Sequence, residues 1–211
     1  MNILLLGSDA SLLNCFDKRR DFFLFADNLE QLKVIFQHSS VDILISYGFR
    51  HRVPKEFLNR VSLMSMNLHI GLLPFNKGSH PNVWSHLENT PSGVTLHEMV
   101  EHIDEGNVII QSEVKIDDSH SFRTSYELLK EEMQSLFSDW WISSTKPYGE
   151  PNPASSSGTK HFQRHLAALD GVLLDGWDTK IARAKELYLD QLSDRGCSQL
   201  ICIHNDESSI T

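Results

Sequence analysis

The sequence predicts an α/β protein: a doubly wound, predominantly parallel sheet with helices on both faces, folded as a single domain. Three observations carry this. Short apolar runs of strand length alternate with segments of helical period, the pattern of parallel strands joined by crossover helices. The chain has 211 residues, 40% of them hydrophobic, enough for one complete core. An amide and an imidazole, Asn67 and His69, close one of the apolar runs, and strand ends are where open α/β sheets hold ligands.

Asn2 to Leu6 is the first strand, and Gly7-Ser8-Asp9 turns into a helix from Ala10 to Asp17 with Leu12, Leu13 and Phe16 inward. One glycine there is not G-x-G-x-x-G, so a dinucleotide fingerprint is missing. Phe22 to Phe25 is the second strand. Asp27-Asn28 caps a helix through Gln37, on which Leu29, Leu32, Ile35 and Phe36 recur at helical spacing. Val41 to Ser46 is the third strand. The loop that leaves it, Tyr47-Gly48-Phe49-Arg50-His51-Arg52, combines a glycine, aromatics and two arginines at a strand end, a candidate ligand edge. Pro54 opens a short helix with Phe57 and Leu58.

Val61 to Met66 runs into the core and delivers Asn67 and His69. Side chains two apart on an extended chain point the same way, so these two face one volume. Gly71 and Pro74 turn the chain away, and a long turn through Lys77, Gly78, Ser79 and His80 enters a helix at Pro81 with Val83, Trp84 and Leu87. Trp84 is either core or a stacking platform. Lys77 is either a solvated turn cation or one that meets a ligand pyrophosphate beside the amides of the helix start. Val94 to Met99 and Val108 to Ile116 are strands flanking a polar turn that holds Asp104.

Ser121 opens a long helix with Tyr126, Leu129, Met133, Leu136, Phe137 and Trp140 on one stripe. Either the later strands and the Asp178 helix cover this stripe or a second copy does, and a homodimer through the C-terminal half is the expectation. Ser143 to Lys160 is a Pro/Gly/Ser loop, and Asp178 caps a last helix with Ile181, Ala184, Leu187 and Tyr188. The domain expected is 1–193, with 194–211 as a C-terminal tail.

Composition removes several classes. With net charge −9 and a pI near 5.6, and Lys18-Arg19-Arg20 as its longest basic cluster, the chain lacks a nucleic-acid groove. No run has signal-peptide or membrane-spanning character, and Cys15, Cys197 and Cys202 make neither a disulfide framework nor CxxC, so a cytoplasmic protein is expected. His97 and His102 lie near Asp104, but no His/Cys set has ligand spacing and no metal is expected.

Asn67, His69 and Asp104 together would form a site without a protein nucleophile. An Asn amide and a protonated His can both donate to a developing oxyanion, and a nearby carboxylate favours the charged imidazole. Such a set suits a reaction whose nucleophile arrives with the substrate, such as an amine attacking an activated acyl group. The other reading, that Asn67 and His69 only satisfy turn backbone, is open at this point.

Asn67-x-His69, Leu72-Leu73-Pro74, Gly78, Gly93-Val94-Thr95 and Asp104-x-Gly106, in this order, resemble the folate-dependent formyltransferase family, most strongly from about Met66 to Val114. The resemblance implies a Rossmann-like fold and 10-formyltetrahydrofolate as formyl donor, without a metal. It implies Asn67 and His69 as oxyanion stabilisers and Asp104 as the group that keeps His69 charged and helps move protons. It places the pterin against the loop bearing Gly48, Phe49 and Arg50 and the segment starting at Met99. Here Ile70-Gly71 follows the His where the family usually has Pro or Ser. Gly78-Ser79-His80-Pro81-Asn82-Val83-Trp84-Ser85 resembles the Gly-x-x-Pro-Asn-x-Trp-Ser segment of short enzymes that act on nucleotide-linked deoxyamino sugars in lipopolysaccharide biosynthesis. That implies a small-molecule nucleotide-sugar acceptor, with Lys77, Gly78, Ser79 and Trp84 as its contacts. Glycinamide ribonucleotide is the second acceptor, and a silent folate- or nucleotide-sugar-binding module the alternative of another class.

Overall fold

The apolar runs become the strands of one sheet. The structure is a computed structural model that describes residues 1–7, 16, 21–143, 158–167 and 171–195. In chain order its elements are β1 (Asn2–Leu6), β2 (Phe22–Ala26), α1 (Leu29–His38), β3 (Val41–Tyr47), α2 (Lys55–Leu58), β4 (Val61–His69), β5 (Lys77–Gly78), α3 (Pro81–Leu87), β6 (Gly93–Glu98), β7 (Val108–Glu113), α4 (Phe122–Ser143), β8 (Lys160–His161), α5 (Gln163–Ala167) and α6 (Ile181–Arg195). Six strands pair in the order β2-β1-β3-β4-β6-β7. The first four run parallel, and β6 and β7 are added antiparallel. A second sheet is the short parallel pair β5-β8.

Period-two alternation sorts the strands between two cores. Ile43, Ile45, Met66, Leu68 and Ile70 pack on one face against Leu129, Met133 and Phe137 of α4. Leu4, Leu6 and Leu44 face the other way, onto Leu32 and Phe36 of α1 and Phe57 of α2. A third cluster joins α3 to α6 through Val83, Trp84, Leu87, Ile181 and Ala184. Asn28 caps α1 as expected, accepting from the Gln31 amide at 3.0 Å.

Two local expectations are corrected. The α4 stripe is covered by the sheet, with Tyr126 left half exposed outside it, so the stripe itself does not call for a second chain. Asp178 does not cap α6. It lies in a 3-10 turn, Gly176–Asp178, and accepts both Nε and Nη2 of Arg123 at 2.7 and 2.9 Å. The first α6 amides, Ile181 and Ala182, donate instead to the carbonyls of His120 and Asp118. The expected helix Ala10 to Asp17 (apart from Phe16), Cys15, the Lys18-Arg19-Arg20 cluster, most of the Ser143–Lys160 loop and the tail from 196 lie outside the described residues. Among the described residues no helix is long and apolar enough to cross a membrane.

Candidate active site

β4 ends with Asn67 and His69 on the face opposite Met66, Leu68 and Ile70, as the pleat requires. β6 lies antiparallel beside it with Asn67 opposite His97 and His69 opposite Thr95. The turn between β6 and β7 then folds Asp104 back over the strand end. Asp104 takes a left-handed backbone, φ 56°, which an Asp tolerates better than most residues. Gly106 follows because a Cβ there would meet the Glu98 carbonyl oxygen at 1.8 Å, and this is the physical content of Asp-x-Gly.

The three expected residues meet. Asp104 Oδ2 lies 3.4 Å from His69 Nδ1 and accepts the Gly78 amide at 2.7 Å. Its Oδ1 accepts from Asn67 Nδ2 at 3.3 Å. A fourth member, His97, places Nε2 at 3.3 Å from Asp104 Oδ1 and 3.2 Å from Asn67 Nδ2. His97 Nδ1 lies 2.7 Å from the Glu98 carbonyl and donates its proton to it, which fixes the ring with Nε2 toward Asn67 and Asp104. His97 was seen in the sequence only as a metal candidate. Its other signal, a His two residues past Thr95, becomes legible once β6 is known to pair with β4. Among the described residues no group of three or more His, Cys, Asp or Glu is arranged to hold a metal.

The charge on His69 differs from the expectation. Burial drives its pKa below the ordinary value and His97 pushes the same way, against the raising pull of Asp104 and the Asn76 backbone. Burial would raise the Asp104 carboxyl, but His69, His97 and the Gly78 amide hold it well below the usual carboxylate range. The two shifts oppose each other, because a charged His69 would deepen the depression of Asp104 while His69 itself is driven neutral. The resting state is ionised Asp104 beside neutral His69, since Asp104 keeps the Gly78 and Asn67 donors whatever the ring carries. Desolvation of a 6% exposed imidazole outweighs one carboxylate at 3.4 Å. With Nδ1–H turned to Asp104, Nε2 presents a lone pair, and this buried atom has no hydrogen-bond partner among the described residues. Such an atom can take a proton from a bound substrate.

The backbone around the site is pinned by side chains. Thr95 Oγ1 donates to the Gly71 carbonyl at 2.8 Å and accepts the Leu73 amide at 3.1 Å, and Gln111 Nε2 donates to the Leu73 carbonyl at 3.0 Å. Gly78, at φ 90°, passes so near β8 that a Cβ would sit 2.2 Å from the His161 carbonyl oxygen. The turn Lys77 to Ser79 therefore acts on the site through the Gly78 amide. Lys77, expected to face an acceptor, is 8% exposed and lies close enough to Glu105 to help lower that carboxyl. Trp84 is core: it is 2% exposed and stacks on His161 at 4.1 Å and 6°. Asn82 ties α3 to α4, donating to the Phe122 carbonyl and accepting from Ser125 Oγ, both at 2.9 Å.

The two segments expected to hold a pterin are neighbours. Arg52 Nε donates to the Glu101 carbonyl at 2.9 Å, joining the Gly48-Phe49-Arg50 loop to the segment between Met99 and Asp104. Phe49 and Met99 are partly buried on one core, and Val100 and Ile103 next to Asp104 are exposed apolar side chains. On the α4 side, a cavity of about 540 Å³ is lined by Arg50, Ile70, His80, Pro81, Tyr126 and Trp177, among others. Lys77, Gly78, Ser79 and Trp84 are not in its described lining.

A model of the family described as formyl transferase matches residues 26–140. The formyltransferase PseJ from Anoxybacillus kamchatkensis, solved in complex with UDP-4,6-dideoxy-4-formamido-L-AltNAc and tetrahydrofolate, is 32% identical with a TM-score of 0.80, over 87% of this chain and 97% of that one. The bifunctional polymyxin resistance protein ArnA of Wigglesworthia glossinidia brevipalpis is 32% identical over 108 residues, half of this chain and 16% of its own length. The dTDP-4-amino-4,6-dideoxyglucose formyltransferase of Mycobacterium bovis is 32% identical over 88 residues, 42% of this chain and 37% of its own. The chain thus spans well under two thirds of these two curated relatives.

Proposed function

The chain belongs to the formyl transferase family, and from that premise we propose that it transfers a formyl group from 10-formyltetrahydrofolate to the amino group of a nucleotide-linked deoxyamino sugar. The observation that carries the reading is the Asn67–His69–Asp104 cluster, with His69 and Asp104 buried and His69 Nε2 without a partner among the described residues, in a chain resembling a formyltransferase solved with tetrahydrofolate and a formamido sugar nucleotide.

The residues present fit a reduced pterin. Phe49, Met99, Val100 and Ile103 offer apolar surface for a flat ring, beside the polar cluster. Gly48 and Arg50 belong to the same edge. The folate supplies the activated formyl carbon when bound. Neutral His69 would receive the proton of the attacking amine at Nε2 as the new C–N bond forms and return it to the folate nitrogen as the old C–N bond breaks, while Asp104 holds the ring by Nδ1 and stabilises the transient imidazolium. Asn67 donates to the formyl oxygen where negative charge develops. Its Nδ2 donates to Asp104 and lies 3.2 Å from His97 Nε2 at rest, so one contact is exchanged for the oxyanion during the reaction. His97 keeps Asn67 and Asp104 in register. None of these groups is a nucleophile, so the transfer is direct and sequential.

The test is formyl release from 10-formyltetrahydrofolate with and without an amino-sugar nucleotide, in the parent and in Asn67→Ala, His69→Ala and Asp104→Ala. Amine-dependent turnover lost in all three variants is the expected result. Near-parental turnover in all three would remove the mechanism. Amine-independent release would make the protein a hydrolase, and binding alone a folate or nucleotide-sugar module.

A further inference from the structure

The cavity on the α4 side has a composition unlike the rest of the chain. The molecule carries a net charge of −9, yet the described lining of the cavity gathers Arg50, Arg123 and Lys130 with one carboxylate, Glu127, while Asp178 pairs with Arg123 from outside that lining. Arg123 is oriented by its two bonds to Asp178, which use two of its five N–H donors among the described residues. Two large aromatics lie at the same cavity with much of their surface uncovered: Trp177 is 43% exposed and Tyr126 44%. Trp177 sits beside the His80 ring, centroids 5.4 Å apart and tilted by 36°. The volume, about 540 Å³, falls within the range that holds a nucleotide-sized ligand.

The cavity wall lies beside the chemistry. Pro81 lines it, and the point where a Cβ on Gly71 would sit is 2.6 Å from His69 Nε2 and 2.8 Å from Pro81 Cβ. The unpartnered nitrogen and the cavity wall therefore flank the same glycine. An acceptor whose amine meets His69 would extend into this space.

We propose that this cavity holds the nucleoside diphosphate part of the acceptor, with the base against the Trp177 indole and the diphosphate among Arg50, Arg123 and Lys130. This rests on the acceptor reading above and deepens it. It moves the expected phosphate contact from Lys77 to the cations at the start of α4 and after β3. Base stacking on an aromatic tolerates any base, so the subsite selects a nucleotide by the pairing of ring and phosphates.

Binding of free nucleotides tests the proposal without requiring turnover. UDP, thymidine diphosphate, uridine and inorganic pyrophosphate are titrated calorimetrically into the full chain and into Trp177→Ala, Trp177→Phe and Lys130→Gln. The nucleoside diphosphates should bind the parent more tightly than uridine or pyrophosphate. Trp177→Ala should weaken them by roughly 5- to 150-fold, the range for losing one base–aromatic stack, and Trp177→Phe should restore most of it. Lys130→Gln should weaken UDP while leaving uridine unchanged, and added salt should narrow the difference. Affinity of a folate analogue should stay the same in every variant. Failure of the parent to bind any nucleoside diphosphate, or equal binding by parent and Trp177→Ala, overturns the subsite. Amine-dependent formyl transfer with no such nucleotide binding overturns it while leaving the transferase standing. Nucleotide binding without transfer keeps the subsite and refutes the reaction.

Discussion

Gly71→Ala isolates the space in front of His69. Gly71 does not have a left-handed backbone, so alanine meets no conformational barrier and its effect is steric. The added methyl would sit 2.6 Å from His69 Nε2, 2.9 Å from Cδ2 and 2.8 Å from Pro81 Cβ. Restoring an ordinary contact of about 3.5 Å requires the ring or the proline to move by about 0.9 Å. The ring is held toward Asp104 through Nδ1, and the Gly71 backbone is held by its carbonyl accepting Thr95 Oγ1 at 2.8 Å. Overpacking of this size costs about 1 to 3 kcal/mol, or roughly 2 to 12 °C in Tm for a chain of this length. The larger effect is on rate, since a misplacement of about 1 Å costs roughly 10²-fold in turnover. Amine-dependent formyl transfer measured well below the Tm, with kcat and both KM values resolved, separates the two. The expected result is a kcat about 10²-fold lower with folate KM little changed. A Gly71→Ala protein within twofold of the parent in kcat would refute the placement of Nε2 and the base role built on it.

Four further outcomes follow from the same geometry. Asn67→Ala should lower kcat by about 10² to 10³ through loss of an oxyanion donor, measured with saturating folate and acceptor. Asp104→Asn keeps the left-handed backbone and an acceptor for the Gly78 amide but removes the charge that raises the His69 pKa. Turnover should fall by roughly 10² or more, and the acid limb of the pH–rate profile should move to lower pH; an unmoved limb would mean that it does not report His69. Trp84→Ala should destabilise by about 3 to 5 kcal/mol yet leave the acceptor KM unchanged, as a core ring stacked on His161 requires. His86 is pushed down to about 4, chiefly by burial, with Lys185 and His120 adding to the shift and Asp118 opposing it. Between that value and the roughly 6.5 of an unfolded imidazole, the unfolded chain binds a proton that the folded chain does not. Stability should therefore be complete above that window and fall by up to about 3 kcal/mol as pH drops through it; His69 adds in the same direction, and denaturant melts from neutral to acid pH measure the sum.

Asn67 and His69 were legible because a pleat of period two puts alternate residues on one face, and that holds wherever the strand ends up. Asp104 was legible through its motif, and the structure supplies the reason for that motif in the Glu98 carbonyl that excludes a side chain at Gly106. His97 escaped because its pairing with Asn67 depends on β6 lying antiparallel beside β4, a tertiary fact that no periodicity encodes. The neutral state of His69 escaped for a similar reason: a sequence shows the carboxylate but not the burial that outweighs it. Trp84 and Lys77 lie in a segment whose neighbour β8 is about 80 residues away, and two-residue strands carry no pattern. Trp177 stands in the short 3-10 turn before α6, where nothing in the sequence distinguishes a ring at a cavity from a ring on the surface. Asp178, placed like a helix cap, is taken by Arg123 instead.

Direct transfer to a nucleotide-linked amine is best tested with 10-formyltetrahydrofolate isotopically labelled in the formyl carbon, incubated with the protein and a panel of UDP-, dTDP- and GDP-amino sugars. Product and intact protein are weighed in the same reaction. The account predicts label on the amine of at least one sugar nucleotide, formed only when that amine is present, and none on the protein. Label appearing only in formate, or accumulating on the polypeptide, would contradict it.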